Sequence, residues 1–422
     1  MKRNGPAIAL TALILAYVAL SALYSMATAL QTGPDESAHF IYVREMATHF
    51  HIPQIAHDTN INLNGKASYE AHQPPLYYTL ACIPYWLASA LKSDQDGTWE
   101  YIRIFTVLFG AAWIFFLYKL ACEFFGERSY SAILSAAFLG LLPLSVYMGG
   151  VINNDIPAAM LFTAALWLIM RSLRQRRIQQ QDAVWIGIAG GLALLTKAQA
   201  IFLLPTLLAA AIMIMAQSRW KNWKPMVLNS GLAILIALAI SSPWFIRNMI
   251  VFGTPSVQSL HHPGPGWSWM WVSIVLTQMF NHFWTPYWIV GRFVDNMAYT
   301  RFLLAFVVLV AISMIRFLAL KSTDKTDRLQ HSIAAWVILK LPLALIIISL
   351  LHRTLTVDLG LLQGGRLLLP GAGILGMSVV AGPGSFIQAR STRIIAGALL
   401  ILALLLADIL VFRTFGSYYG YL

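Results

Sequence analysis

Eleven stretches of this sequence are apolar over close to the length of a bilayer-crossing helix. They cover residues 7–30, 101–122, 130–149, 156–172, 183–199, 201–217, 227–250, 301–320, 331–351, 366–382 and 394–412. Crossing a hydrocarbon core takes roughly 20 helical residues. The chain has 422 residues, 58% of them hydrophobic, and a mean hydropathy of +0.67. A soluble domain of this length has too little interior to hide that surface. Lipid offers no partner to backbone N–H and C=O groups, so each run must close its hydrogen bonds within itself as a helix. The alternating pattern of a membrane β-barrel is absent. The expectation is an all-α polytopic membrane protein: a single transmembrane domain over 1–422, about 11 spans, and no soluble C-terminal domain.

The basic residues orient this array. The formal net charge is +12, which in a soluble protein would suggest nucleic acid. Here Lys and Arg crowd short loops such as Arg171–Arg177 and Arg219–Lys224, as the positive-inside rule requires. No nucleic-acid motif or phosphate-binding glycine loop is present, so no nucleic-acid partner is expected. The bias places the N-terminus in the cytoplasm and the C-terminus outside, in a bacterial inner membrane. Residues 31–100 and 251–300 become two outer loops. "ATA" at Ala27–Ala29 resembles a leader cleavage site, but the run before it is too long for a leader, so a retained span is expected. Residues 76–91 hold Pro84 and are short. A span there would invert every later loop, so a helix at the outer interface is expected, and likewise for the Trp-rich 267–290. Cys82 and Cys122 fall on opposite sides and are not expected to pair.

Most of the unusual polar residues fall at the outer ends of spans. "PDESAHF" supplies Asp35, Glu36 and His39, and "YEAHQPPLYY" supplies His72. "GGVINNDIP" supplies Asn154 and Asp155, "LLTKAQ" Lys197, "PWFIRNM" Arg247, and "LLQGGRLLLP" Gln363 and Arg366. Widely separated in sequence, they share one membrane level, as the lining of a single outward pocket would. Each also has a plainer reading. Asp35 or Glu36 can cap a helix over 35–50 whose Phe40, Val43, Ala47 and Phe50 share an apolar face. His39, one turn after Asp35, can orient a carboxylate or bind a metal. Asp155 can cap the next span, with Pro157 in its first turn. Lys197 and Arg247 can snorkel to the surface, yet cations within apolar sequence beside acids fit an anion site better. Lys340 lies mid-span and suggests no function.

Taken in order, these motifs resemble the GT-C membrane glycosyltransferases, a group that includes protein O-mannosyltransferases and lipid A aminoarabinose transferases, with family-39-like and DUF2142-like bacterial proteins. "PDESAHF" is similar to the first-loop acidic motif, "HQPPLYY" to the "HPPLYY" element, and "NND" to the second acidic site. "LTKAQAIFLLP", "PWFIRNMIVFGTP" and "QGGRLLLP" resemble the Lys- and Arg-bearing spans. The resemblance implies a GT-C-like bundle with juxtamembrane helices in the first loop. It also implies an inverting transfer of a sugar from a polyprenyl-phosphate donor to a lipid, glycan or protein acceptor. Asp35, Glu36 and Asp155 would be catalytic, with Asp35 the base. Lys197, Arg247 and Arg366 would bind the donor phosphate. His39, His72, Asn154 and Gln363 would orient substrate. No cofactor follows, although a divalent metal stays open. Two alternatives remain: a flippase for a lipid-linked sugar, and a ligase of lipid-linked glycans.

Overall fold

The computed structural model describes residues 5–419, except 57–64, 93, 128, 222, 258–263, 285–307, 309–310, 313–314, 316–332, 358, 385 and 388–389. The helices in chain order are α1 (Gly5–Ala27), α2 (Glu36–His49), α3 (Leu76–Ala90), α4 (Gln95–Phe125), α5 (Tyr130–Gly140), α6 (Pro143–Gly149) and α7 (Asp155–Gln175). There follow α8 (Gln180–Leu194), α9 (Leu203–Gln217), α10 (Trp223–Phe252), α11 (Trp269–Trp284), α12 (Ile333–Thr356), α13 (Gly373–Gly384) and α14 (Arg390–Tyr419). Two residue pairs, β1 (Gln54–Ile55) and β2 (Ala67–Ser68), form a short parallel ladder in the first loop.

Among the described residues, seven helices are long and apolar enough to cross a membrane, and nine if each of two bent pairs is one span. These nine coincide with nine of the eleven apolar stretches. The stretch 183–199 corresponds to α8, which has only 15 residues and gives way to an extended Lys197 and a 3-10 turn, Ala198–Phe202. The stretch 301–320 lies almost wholly outside the described residues. The exact number of spans is therefore not fixed at 11.

The two bends position the site. α5 and α6 meet at 67°, where Pro143 opens the second piece. The 3-10 segment Leu359–Gly371 meets α13 at 72°. Non-helical backbone at membrane depth survives only where protein or a cavity satisfies it. Both breaks lie next to polar motifs, "NND" and "QGGR". Gly365 packs so closely on α11 that a side chain there would come within 2.4 Å of the His282–Phe283 backbone.

The first loop folds differently from its sequence expectation. α2 is buried on most sides rather than amphipathic: Phe40, Ile41, Tyr42 and Val43 are all interior, while Phe50 is exposed. The loop itself supplies the cover. Phe40 stacks on Trp99 at 4.1 Å and Tyr42 on Tyr78 at 3.7 Å. α4 has 31 residues, a length of about 47 Å at 1.5 Å per residue, well beyond the ~30 Å core. Its first turns, with Trp99 and Arg103, build the floor on which α2 and α3 sit.

Candidate active site

Consecutive residues at the start of α2 point to different partners. Asp35 adopts the left-handed conformation (φ 58°) and its side chain makes no capping bond. Asp tolerates that region better than most residues, and the turn sends its carboxylate away from the helix end. Tyr69 Oη donates to Asp35 Oδ1 at 2.8 Å, and Arg366 donates to Oδ2. Glu36 turns inward. Its oxygens accept from Arg103 Nε and Nη2, both at 2.8 Å, from Ile152 N at 3.0 Å and from Gly33 N at 3.2 Å. Arg103 Nη1 also donates to Ser25 O and Thr28 O at 2.8 and 2.9 Å. Glu36, expected among the catalytic groups, is thus saturated in a fork that ties α1, α2, α4 and the α6–α7 loop together.

The second acidic motif divides its labour in the same way. Asn153 Oδ1 accepts from Asp155 N at 2.9 Å and Ile156 N at 3.1 Å, so Asn153 caps α7. Asp155 is freed from capping and pairs with Lys197 Nζ. Asn154 Oδ1 stands 3.5 Å from the same Nζ, and its amide donates to Thr196 O at 3.1 Å. Arg366 Nε lies 3.7 Å from Asp155 Oδ2. Arg366 therefore bridges Asp35 and Asp155, and the chain Asp35–Arg366–Asp155–Lys197 joins four elements at one end of the bundle.

Further groups surround this chain. Asp35, His39 and Glu70 each offer a ligand atom within 4.8 Å of the others. His39 Nδ1 is 2.9 Å from Tyr78 Oη, and Glu70 Oε2 is buried with no hydrogen-bond partner. Burial would raise the Asp35 carboxyl, but Arg366 and then His39 outweigh it and hold it well below the usual carboxylate range. Glu70 goes the other way: burial pushes its carboxyl up, and the attraction of His39 does not cancel the shift. Burial lowers both His39 and His72. His72 Nδ1 lies 2.7 Å from Tyr69 O, beside the cluster.

One expected residue does not join the cluster, and another has a side chain that is not described. Arg247 stacks on Trp244 and Phe252, each 5.2 Å away, and donates to Asn248 Oδ1 at 2.9 Å. Among the described residues it has no carboxylate partner. The side chain of Gln363 lies outside the described residues. Arg103, Tyr69 and Glu70 were missed in the sequence, although an acid in the nearly uncharged "SYEAHQ" was a usable signal. Lys340 is exposed and lies over the Trp336 ring at 5.8 Å.

Residues 76–246, less than half of the chain, match the family model described as dolichyl-phosphate-mannose-protein mannosyltransferase. No curated protein matches by sequence. Among solved structures, the oligosaccharyltransferase of Archaeoglobus fulgidus, tethered to an acceptor peptide, superposes with a TM-score of 0.57 at 14% identity. That superposition covers 99% of this chain and 55% of the other. The chain has the GT-C fold. The oligosaccharyltransferase AglB from Archaeoglobus fulgidus, in complex with an inhibitory peptide and a dolichol-phosphate, gives a TM-score of 0.51 at 14% identity, over 95% of this chain and 56% of that one. ArnT from Cupriavidus metallidurans bound to undecaprenyl phosphate gives 0.45 at 17% identity, over 91% and 79%. The GT-C chain described here spans about half the length of the archaeal structures.

Proposed function

We propose that this protein is an inverting glycosyltransferase that moves one sugar from a polyprenyl-phosphate carrier to an acceptor hydroxyl. The reaction would take place on the outer face of a bacterial inner membrane. The observation that carries this reading is the bridge made by Arg366 between Asp35 and Asp155. The family model's lipid-phosphate-sugar description and the dolichol-phosphate of the archaeal structure support a donor of this class.

In the transfer, the acceptor oxygen attacks the anomeric carbon, the bond from that carbon to the phosphate oxygen breaks, and the carrier leaves as its phosphate. The acceptor proton goes to Asp35. Paired with Arg366, Asp35 is a weak base, because a depressed pKa lowers the drive for proton transfer. Donor phosphate competes with Asp35 for Arg366. As the guanidinium turns to the phosphate, the Asp35 carboxylate loses its cation and becomes a stronger base. Donor binding would thus arm the base, and growing charge on the phosphate would strengthen the pull on Arg366 in the transition state. Lys197 is committed to Asp155, whereas Arg247 meets no carboxylate among the described residues, which favours Arg247 as first contact for the phosphate. Asn154, His39 and His72 would orient the reactants. Asp35, His39 and Glu70 form an O,N,O set that fits a divalent ion, and such an ion would also take Asp35 from Arg366.

The test is reconstitution in liposomes with polyprenyl-phosphate-linked labelled sugars and an extract of envelope acceptors. Transfer of one sugar by the wild type, lost in Asp35→Asn, is the expected result. Labelled carrier crossing the bilayer with no product would replace the transferase with a flippase, and transfer of a whole polymer would replace it with a ligase.

A further inference from the structure

The opposite end of α2 carries a second cluster that takes no part in the chemistry above. Glu45 and His49 lie one turn apart, and His51 follows the left-handed Phe50 that ends the helix. That turn folds the chain back, so one oxygen of Glu45 and one nitrogen of each histidine lie within 4.8 Å of one another. The His49 and His51 rings meet edge to face at 5.6 Å. Glu45 is 1% exposed. Arg44 holds its Oε1 through Nε at 3.2 Å and Nη2 at 2.9 Å. Oε2 has no hydrogen-bond partner, although His49 Nδ1 stands 3.2 Å away. That separation is close to an edge of a tetrahedron around an ion with bonds of roughly 2.0–2.1 Å.

We infer that Glu45, His49 and His51 form a binding site for a zinc-class transition-metal ion. Two imidazoles and one carboxylate select borderline ions over magnesium or calcium, which take oxygen ligands. Arg44 plays the outer role that such sites require: it fixes one carboxylate oxygen and thereby aims the other. Thr48 Oγ1, 2.8 Å from His49 Nδ1, is a contact that the ion would exchange. Three protein ligands leave a fourth position for water, on the exposed side where both histidines lie. The 14-residue α2 is about 21 Å long at 1.5 Å per residue, so this site is separate from Asp35. Its effect would be structural: it pins the chain after α2 to the last turn of the helix that carries Asp35 at its start.

The experiment is a cobalt titration of the full chain, purified in detergent without a histidine tag and read by visible absorption. The expected result is a tetrahedral cobalt spectrum, displaced by zinc, that persists in Asp35→Asn and Glu70→Gln. His49→Ala and His51→Ala should each weaken binding by at least about 100-fold, since losing even an outer partner of a metal ligand costs roughly 10–100-fold. Both histidines are surface-exposed, so these variants keep the fold. Absence of cobalt binding in the wild type overturns the site. So does a His51→Ala titration that matches the wild type, or a signal that vanishes in Asp35→Asn.

Discussion

Asp35 and Glu36 are neighbours in sequence and both pair with an arginine, yet the two pairs do different work. The Glu36 and Arg103 side chains are both 0% exposed, whereas those of Asp35 and Arg366 are 29% and 21% exposed. Glu36 has every acceptor position filled by fixed donors. Asp35 shares its arginine with Asp155 and keeps an open side. A carboxylate saturated by buried donors is a fastener; one held by a single shared cation can let go. The αL turn at Asp35 separates the two, because it aims successive side chains at different neighbours.

This contrast breaks most readily on the Glu36 side. Arg103→Ala leaves a charge stranded in the interior, and removing one partner of a buried pair costs about 3–5 kcal/mol. The expected result is a large fall in the unfolding midpoint in detergent, or failure to purify as a single species. Wild-type stability in that variant would end the fastener assignment. Asp35→Asn should cost about 1 kcal/mol or less, as for a partly exposed ion pair, because Arg366 keeps Asp155. A loss as large as that of Arg103→Ala would erase the distinction between the pairs.

The smallest effect is in the pH dependence. Glu70 has a raised carboxyl, so the folded state favours its neutral form. Its contribution to stability is full below the unfolded value of about 4.3 and is lost as pH rises through the folded value. Asp35 has the opposite sign: its contribution is present above the unfolded value of about 3.9 and is lost as pH falls. Glu70→Gln should therefore equal or exceed the wild type in unfolding midpoint at neutral pH, with the gap closing under acid. A variant less stable than wild type at neutral pH would show Glu70 to be a paired charge.

Much of the architecture was legible because lipid imposes it: apolar length gives spans, and nine stretches correspond to helices or bent pairs. The bends were less visible, although Pro143 and the Gly-rich "QGGRLLLPGAG" mark them. α2 misled because its cover comes from Trp99, Tyr78 and Tyr85, residues 36 or more positions away that no helical period announces. Arg103 carried no signal of its own in the sequence, since only its meeting with Glu36 reveals a buried pair. The sequence places the cap of α7 two positions late. Asn153, not Asp155, satisfies the helix end, and this is what leaves Asp155 for Lys197.

The span of Arg366 across 331 positions to Asp35 has a consequence for biosynthesis. The Glu36 fork needs nothing beyond Ile152, and Asp155 finds Lys197 within 42 residues. The nascent chain can thus lock its first loop and its second acidic motif early, while the bridge between the acids waits for the 72° bend near Gly371 to be threaded. Until then Asp35 lacks its cation. Arg366 is the last of these groups to be synthesised, and a chain truncated before residue 366 would carry both acidic motifs without the bridge.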